Sequence, residues 1–167
     1  RATSSVRWQL RRVGIPWLSM LDLMAMSKVR LGVLASGRGS NLQAIIDAIE
    51  SGTVQARVAV VISNKKDAQA LERGRAHGVP DVYLDPARYA GMNDKREAYD
   101  RGVLDILRKH EVDLVLLAGY MKIVTPVLID AYRNHMMNIH PSLLPSFPGL
   151  EAQKQALEWG AKRSGCT

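Results

Sequence analysis

Residues 29–50 read VRLGVLASGRGSNLQAIIDAIE, and this stretch decides the fold class. Val29–Ala35 is a short apolar run, rich in β-branched residues and ending in small ones, the pattern of a buried strand. Ser36-Gly37-Arg38-Gly39-Ser40 is a glycine-rich turn. Asn41–Glu50 then sets Leu42, Ala44, Ile45, Ile46, Ala48 and Ile49 at apolar positions, a helix with a broad buried face. Ser51-Gly52 stops it. Strand, tight turn and helix in that order form the first half of a βαβ unit.

The alternation continues outward from there. Arg57–Ile62 reads as a second strand, and Asp67–His77 as a second helix with Asp67 as N-cap and Gly78 at its end. Asp81–Leu84 is a short third strand, residues 85–93 a polar loop, and Asp94–Glu111 a longer helix. Asp113–Ala118 is a fourth strand, apolar almost throughout, as expected where both faces are covered. Gly119–Thr125 connects it to a helix over Pro126–Tyr132, opened by a proline favoured at the first helical position. Met136–His140 is the fifth strand, and Glu151–Trp159 the last helix. The expected fold class is therefore α/β: an open, mostly parallel, Rossmann-like sheet with helices on both faces and right-handed crossovers.

Composition narrows the class further. A chain of 167 residues suits one domain able to bury about two-thirds of its unfolded surface. The single cysteine, Cys166, excludes an internal disulfide and points to a reducing compartment, here the cytoplasm. No apolar run approaches the roughly 18 residues of a membrane span, so no membrane partner is expected. The net charge of +7 resembles a nucleic-acid signal. However, Arg1, Arg7, Arg11 and Arg12 against Asp22 alone account for +3 of it within residues 1–25. The remaining +4 is dispersed among acids, and aromatic content is only 5%, which disfavours base stacking. An anionic small molecule explains the balance without nucleic acid. Residues 1–25 are read as an N-terminal extension outside the fold, either upstream or cloning sequence or a disordered transit-type segment. Met26-Ser27-Lys28 stands as the expected start of the domain over 26–167.

Two places carry candidate chemistry. The Gly37-Arg38-Gly39-Ser40-Asn41 turn lies between a strand and a helix, where free N–H groups and the helix dipole converge. It is not a dinucleotide fingerprint, because position 42 is Leu42, and no Gly-Lys-Ser/Thr follows to make a P-loop. It suits a single phosphate, or is simply a tight turn with Ser40 or Asn41 capping the helix. The second place is Asn138-Ile139-His140-Pro141-Ser142-Leu143-Leu144-Pro145. In an extended backbone Asn138 and His140 project to one face, and Pro141 ends the strand. An amide that donates to a developing oxyanion beside a group that relays a proton suits acyl-type transfer. The same pair also reads as a turn former and a structural histidine. Placement at the carboxyl ends of sheet strands, with the Gly119–Ile123 exit on the same edge, favours the functional reading. His77, His110 and His135 have weaker claims; for His77 and His110 a helix C-terminus suffices.

The segments GRGSNLQAIIDA (37–48), SNK (63–65), REAYD (96–100), LAGYM (117–121) and NIHPSLLP (138–145), in this order, resemble the phosphoribosylglycinamide formyltransferases. The resemblance runs from about Met26 to Thr167. It implies transfer of a formyl group from 10-formyltetrahydrofolate to the amine of glycinamide ribonucleotide in purine biosynthesis, without a metal. It implies that Gly39, Ser40 and Asn41 hold the phosphate, and that Arg96 contacts the folate. Met121, Lys122, Ile123 and Val124 would line the folate pocket, Asn138 contact the donor and stabilise the oxyanion, and His140 act as proton donor. The family pattern continues past the Gly165-Cys166-Thr167 turn to an aspartate that orients the histidine. The chain is accordingly expected to lack a C-terminal part and to be weakly active at best as printed. A monomer or homodimer is equally compatible with the sequence. Formyltetrahydrofolate hydrolase and methionyl-tRNA formyltransferase share parts of the pattern. The first has no need of a phosphate turn, and the second has a different glycine-rich turn and an RNA-binding domain. A non-catalytic phosphate-binding module would keep Ser40 and Asn41 and have no need of His140.

Overall fold

The computed structural model describes residues 28–167, so the expectations for residues 1–25 lie outside the described residues. Strand β1 (Val29–Ala35) enters the core directly, with Val33, Leu34 and Ala35 fully buried. It is followed by α1 (Ser40–Glu50), β2 (Ala56–Ser63), α2 (Gln69–Ala76), β3 (Asp81–Tyr83), α3 (Lys95–Lys109), β4 (Leu114–Leu117), α4 (Pro126–Ala131), β5 (Met136–Asn138) and α5 (Ala152–Trp159). The five strands are all parallel in the order β3-β2-β1-β4-β5. The apolar run of β1 thus lies between two neighbours, and the strand order reverses between β1 and β4. An open parallel sheet of this kind, with helices on its faces, is the fold class that the periodicity implied.

Two apolar layers cover the sheet. On one, Leu42 and Ile46 of α1 and Ala70 and Leu71 of α2 pack with Leu31, Val33 and Val61. On the other, Tyr99, Val103, Leu104 and Leu107 of α3 and Leu128 of α4 pack with Leu34, Val60, Ile62 and Val115. Alternate residues of β1 serve alternate layers, as the two-residue period of a strand requires. Gly32 is where α3 comes closest: a Cβ there would lie 2.5 Å from Leu107 Cδ2.

Most boundaries shift by one or two residues from the sequence expectations, and three of the differences bear on the site or its supports. The second helix begins at Gln69 with Ala68 at its N-cap and no side-chain cap, so Asp67 does not cap it. The loop after β3 contains a single 3₁₀ turn, Pro86–Tyr89, capped by Asp85, whose side chain accepts from Ala87 N at 2.9 Å. Strand β5 ends at Asn138, leaving His140 beyond the ladder rather than in it. The proline at 141 explains this, because it holds its predecessor extended but supplies no N–H for continued pairing.

At the amino edge of the sheet, Arg30 and Asp113 join β1 to the entry of β4. Arg30 NH2 donates to Asp113 Oδ1 at 2.8 Å, and Arg30 N and Nε donate to Oδ2 at 2.9 and 3.0 Å. The guanidinium, and then the Arg30 backbone N–H, hold the Asp113 carboxyl below its ordinary 3.8. A depressed carboxyl contributes stability above its unfolded pKa and loses it as pH falls through the folded value. Asp113→Asn is expected to flatten the acid limb below pH 3.8, by less than about 1 kcal/mol because the pair is solvent-exposed; acid titration of both proteins by circular dichroism checks it. At the opposite edge Gly39 has φ 71° and its Cβ position lies 2.8 Å from Ala70 Cα. Gly39→Ala is therefore expected to cost roughly 2–4 kcal/mol in urea unfolding, from left-handed strain and overlap with α2 together.

Candidate active site

The carboxyl ends of β1, β4 and β5 stand side by side. Leu34 pairs with Leu117, and Leu117 with Asn138, so the three lie in one row across the sheet. Two strand spacings, about 10 Å, separate Leu34 from Asn138. The glycine-rich turn, the 119–125 loop and the Asn138–His140 segment all leave from this edge. It is also the switch point of the strand order, where open α/β sheets present ligand crevices.

At the turn, Gly39 occupies the N-cap of α1 in the left-handed region, and no side chain caps the helix. Ser40 is its first residue, so neither Ser40 nor Asn41 is used up as a cap, and both are exposed. The leading N–H groups of a helix have no acceptor within it, and the helix dipole makes them attractive to an anion. The turn is anchored from behind by α2. Ala70 N donates to Gly37 O at 3.1 Å, and Arg73 Nε donates to Arg38 O at 2.9 Å.

The 119–125 loop is fixed at both ends. Ser36 N donates to Gly119 O at 3.1 Å, and Met121 N donates to Ser36 Oγ at 2.8 Å. At the far end Thr125 N donates to the buried Asp100 carboxylate at 2.6 Å. Between these points the side chains alternate. Met121 and Ile123 stand 64% and 78% exposed. Lys122 turns back to place Nζ 4.5 Å from the Tyr99 ring centroid, and Val124 packs on the core. Burial pushes the Tyr99 phenol up to about 12 and raises that of Tyr120 as well, so both stay neutral behind the loop. Tyr99 Oη, Tyr120 Oη and Thr125 Oγ1 are buried without hydrogen-bond partners among the described residues.

Arg96 lies in the first turn of α3 and is exposed. It lines a cavity of ≈ 420 Å³ with Asn93, Asp94, Lys95, Glu97 and Thr125. The fold thus brings Arg96 to the end of the loop that carries Met121 to Val124, although neither Asn138 nor His140 lines that cavity.

Asn138 closes β5 and is exposed, while His140 is half-buried. His140 Nε2 lies 3.1 Å from Phe147 O. A carbonyl only accepts, so Nε2 carries the proton and Nδ1 is the basic nitrogen of the neutral ring. Buried Ser142 braces the same loop, its Oγ donating to Ser146 O at 2.6 Å. His140 also exchanges both backbone hydrogen bonds with Thr167, at 2.8 and 3.0 Å. Among the described residues no carboxylate contacts the imidazole; a loop carbonyl orients it. Two other histidines read as structural: His77 Nδ1 pairs with Glu50 at 2.8 Å, and His135 Nδ1 bonds Arg133 O.

Sequence reasoning assigned no role to Ser36, Asp100 or Ser142. At Ser36 the signal available was a polar residue directly after an apolar run, which by itself does not name a partner.

Residues 29–167 match the formyl transferase family. The chain belongs to that family. A phosphoribosylglycinamide formyltransferase of Escherichia coli K12 is 46% identical over 133 residues, covering 80% of this chain and 61% of that protein. A trifunctional purine biosynthetic protein adenosine-3 of Chironomus tentans is 43% identical over 147 residues, covering 87% of this chain but 10% of its own length. Among solved structures, glycinamide ribonucleotide transformylase 1 of Symbiobacterium toebii superposes with a TM-score of 0.79 at 52% identity, over 84% of this chain and 64% of that one. This formyl transferase chain therefore spans less than two-thirds of the length of each of these relatives.

Asp100→Ala is expected to lower stability by about 1–3 kcal/mol, because it strands the Thr125 N–H in a buried setting. Amide exchange should accelerate at Thr125 while Met121, held by Ser36, keeps its protection.

Proposed function

We propose that this formyl transferase chain carries the phosphate-, folate- and proton-handling residues of a phosphoribosylglycinamide formyltransferase. The reaction would move a formyl group from 10-formyltetrahydrofolate to the primary amine of glycinamide ribonucleotide. The observation that supports the reading is the row Leu34–Leu117–Asn138, which puts the strand end leading into the glycine-rich turn and the start of the Asn138–His140 segment two strand spacings apart on one edge. The names of the similar proteins agree with formyl transfer to the same acceptor.

In this reading Gly39, Ser40 and Asn41 bind the phosphate through backbone N–H groups and two free polar side chains. Arg96 is placed for an anionic carboxylate of the folate, and the exposed Met121 and Ile123 for the apolar faces of its rings. Lys122 contributes through its backbone, since its ammonium already covers Tyr99. The donor supplies an electrophilic formyl carbon bound to nitrogen.

The acceptor amine forms the new C–N bond, and the bond from the formyl carbon to the folate nitrogen breaks. Asn138 donates its amide to the formyl oxygen as that atom gains charge. His140 Nδ1 handles the proton that the amine releases and the departing nitrogen takes up, so protons balance over the cycle. Nε2–H remains on Phe147 O throughout. No metal is required by this scheme, and among the described residues no helix is long and apolar enough to cross a membrane.

The test is His140→Ala, assayed with 10-formyltetrahydrofolate and glycinamide ribonucleotide. Turnover is expected to fall about 10²–10⁴-fold, while calorimetric binding of glycinamide ribonucleotide persists. Unchanged turnover removes His140 from the mechanism. Release of formate with no formylated amine identifies water as the acceptor and overturns the substrate assignment.

A further inference from the structure

We propose that Ser36 is a positioning residue, holding the 119–124 loop against the glycine-rich turn where the strand order reverses. Ser36 is the first residue beyond β1 and is only 3% exposed. Its backbone N–H reaches Gly119 O at 3.1 Å. Its hydroxyl accepts from Met121 N at 2.8 Å and donates to Asn64 Oδ1 at 2.6 Å. A hydroxyl has one proton to give and two lone pairs to offer, so both bonds form at once. One small side chain therefore joins the exits of β1, β2 and β4. Gly119 makes the geometry available: with φ 72° it turns the chain back so that the Met121 amide returns over Ser36.

The hydroxyl serves one side of the site and not the other. The phosphate turn is secured by Ala70 N on Gly37 O, by Arg73 on Arg38 O, and by Gly39 against Ala70. None of these passes through Ser36 Oγ. The Met121 amide, in contrast, has the Ser36 hydroxyl as its acceptor. Loss of the hydroxyl releases the Met121 amide within the donor-side loop and leaves the anion side standing, so its effect on ligands is selective.

This inference rests on the functional reading above for the identity of the ligands, and the experiment separates the two. Chains 1–167 with Ser36, Ser36→Ala and Ser36→Thr are titrated calorimetrically with 5-formyltetrahydrofolate and with glycinamide ribonucleotide. Exchange of the Met121 amide is followed in each by NMR. Ser36→Ala is expected to weaken the folate roughly tenfold, in line with one lost hydrogen bond, and to leave the nucleotide affinity in place. Ser36→Thr, which keeps the hydroxyl, restores folate affinity, and Met121 protection falls only in the alanine variant. Equal loss of both ligands, or no loss of folate, overturns the proposal. If the unsubstituted chain binds neither compound, the functional reading fails. Met121 exchange then decides the positioning role, acceleration in Ser36→Ala supporting it and an unchanged rate overturning it. Should Ser36→Ala not fold, Asn64→Ala cuts one of the two hydroxyl bonds at a half-buried position. Weaker folate binding with the nucleotide unaffected supports the proposal there, and unchanged binding of both overturns it.

Discussion

Everything in this structure hangs on the burial of β1 between two strands and two helical layers. Val33, Leu34 and Ala35 have no solvent exposure, so neither face nor edge of the strand is free to shift. A one-residue slip would carry Leu34 from the α3 layer to the α1 layer and break both sets of contacts. The end of β1 is consequently a fixed point, and the polar residues that follow it inherit that precision. Ser36 is the first of them, and its three hydrogen bonds run to loops that start from the neighbouring strands.

The carboxyl edge of the sheet divides into parts held in different ways. The glycine-rich turn rests on α2, through Ala70 N on Gly37 O, Arg73 Nε on Arg38 O and a contact that leaves no space for a Cβ at Gly39. The 119–125 loop is pinned by two buried acceptors, Ser36 at one end and Asp100 at the other. The His140 segment is fastened by its own loop, through Phe147 O and Ser142, and by Thr167. Rigidity at the attachment points and exposure between them is a workable design for a ligand site. The groups that meet a ligand stay accessible, while the bonds that aim them are shielded from water.

Much of this was legible in the chain. The strand–helix alternation follows from apolar periodicity, and the all-parallel sheet follows from it in turn. The glycine-rich turn was visible because glycine at 39 is needed where φ is positive, with two small polar residues immediately after it. Less legible were the ends of elements. Asp67 looked like a cap, yet packing of Ala70 under Gly39 draws the helix start to Gln69 instead. His140 looked like part of a strand, yet with Pro141 after it the β4–β5 ladder ends at the Leu117–Asn138 pair.

By itself the sequence determined which residue types stand at strand ends, because hydrophobic period and turn chemistry are local properties of consecutive residues. Its motifs also determined the family. Tertiary structure alone decided which of those ends become neighbours and what holds them there. Ser36 meets Met121 across 85 positions, and Asp100 meets Thr125 across 25, distances over which no local pattern operates. It also decided that the His140 ring takes its orientation from a carbonyl seven residues on, through a loop whose path depends on packing. Those contacts exist because a parallel sheet brings sequence-distant strands into one register, and a register is a property of the assembled sheet rather than of any one strand.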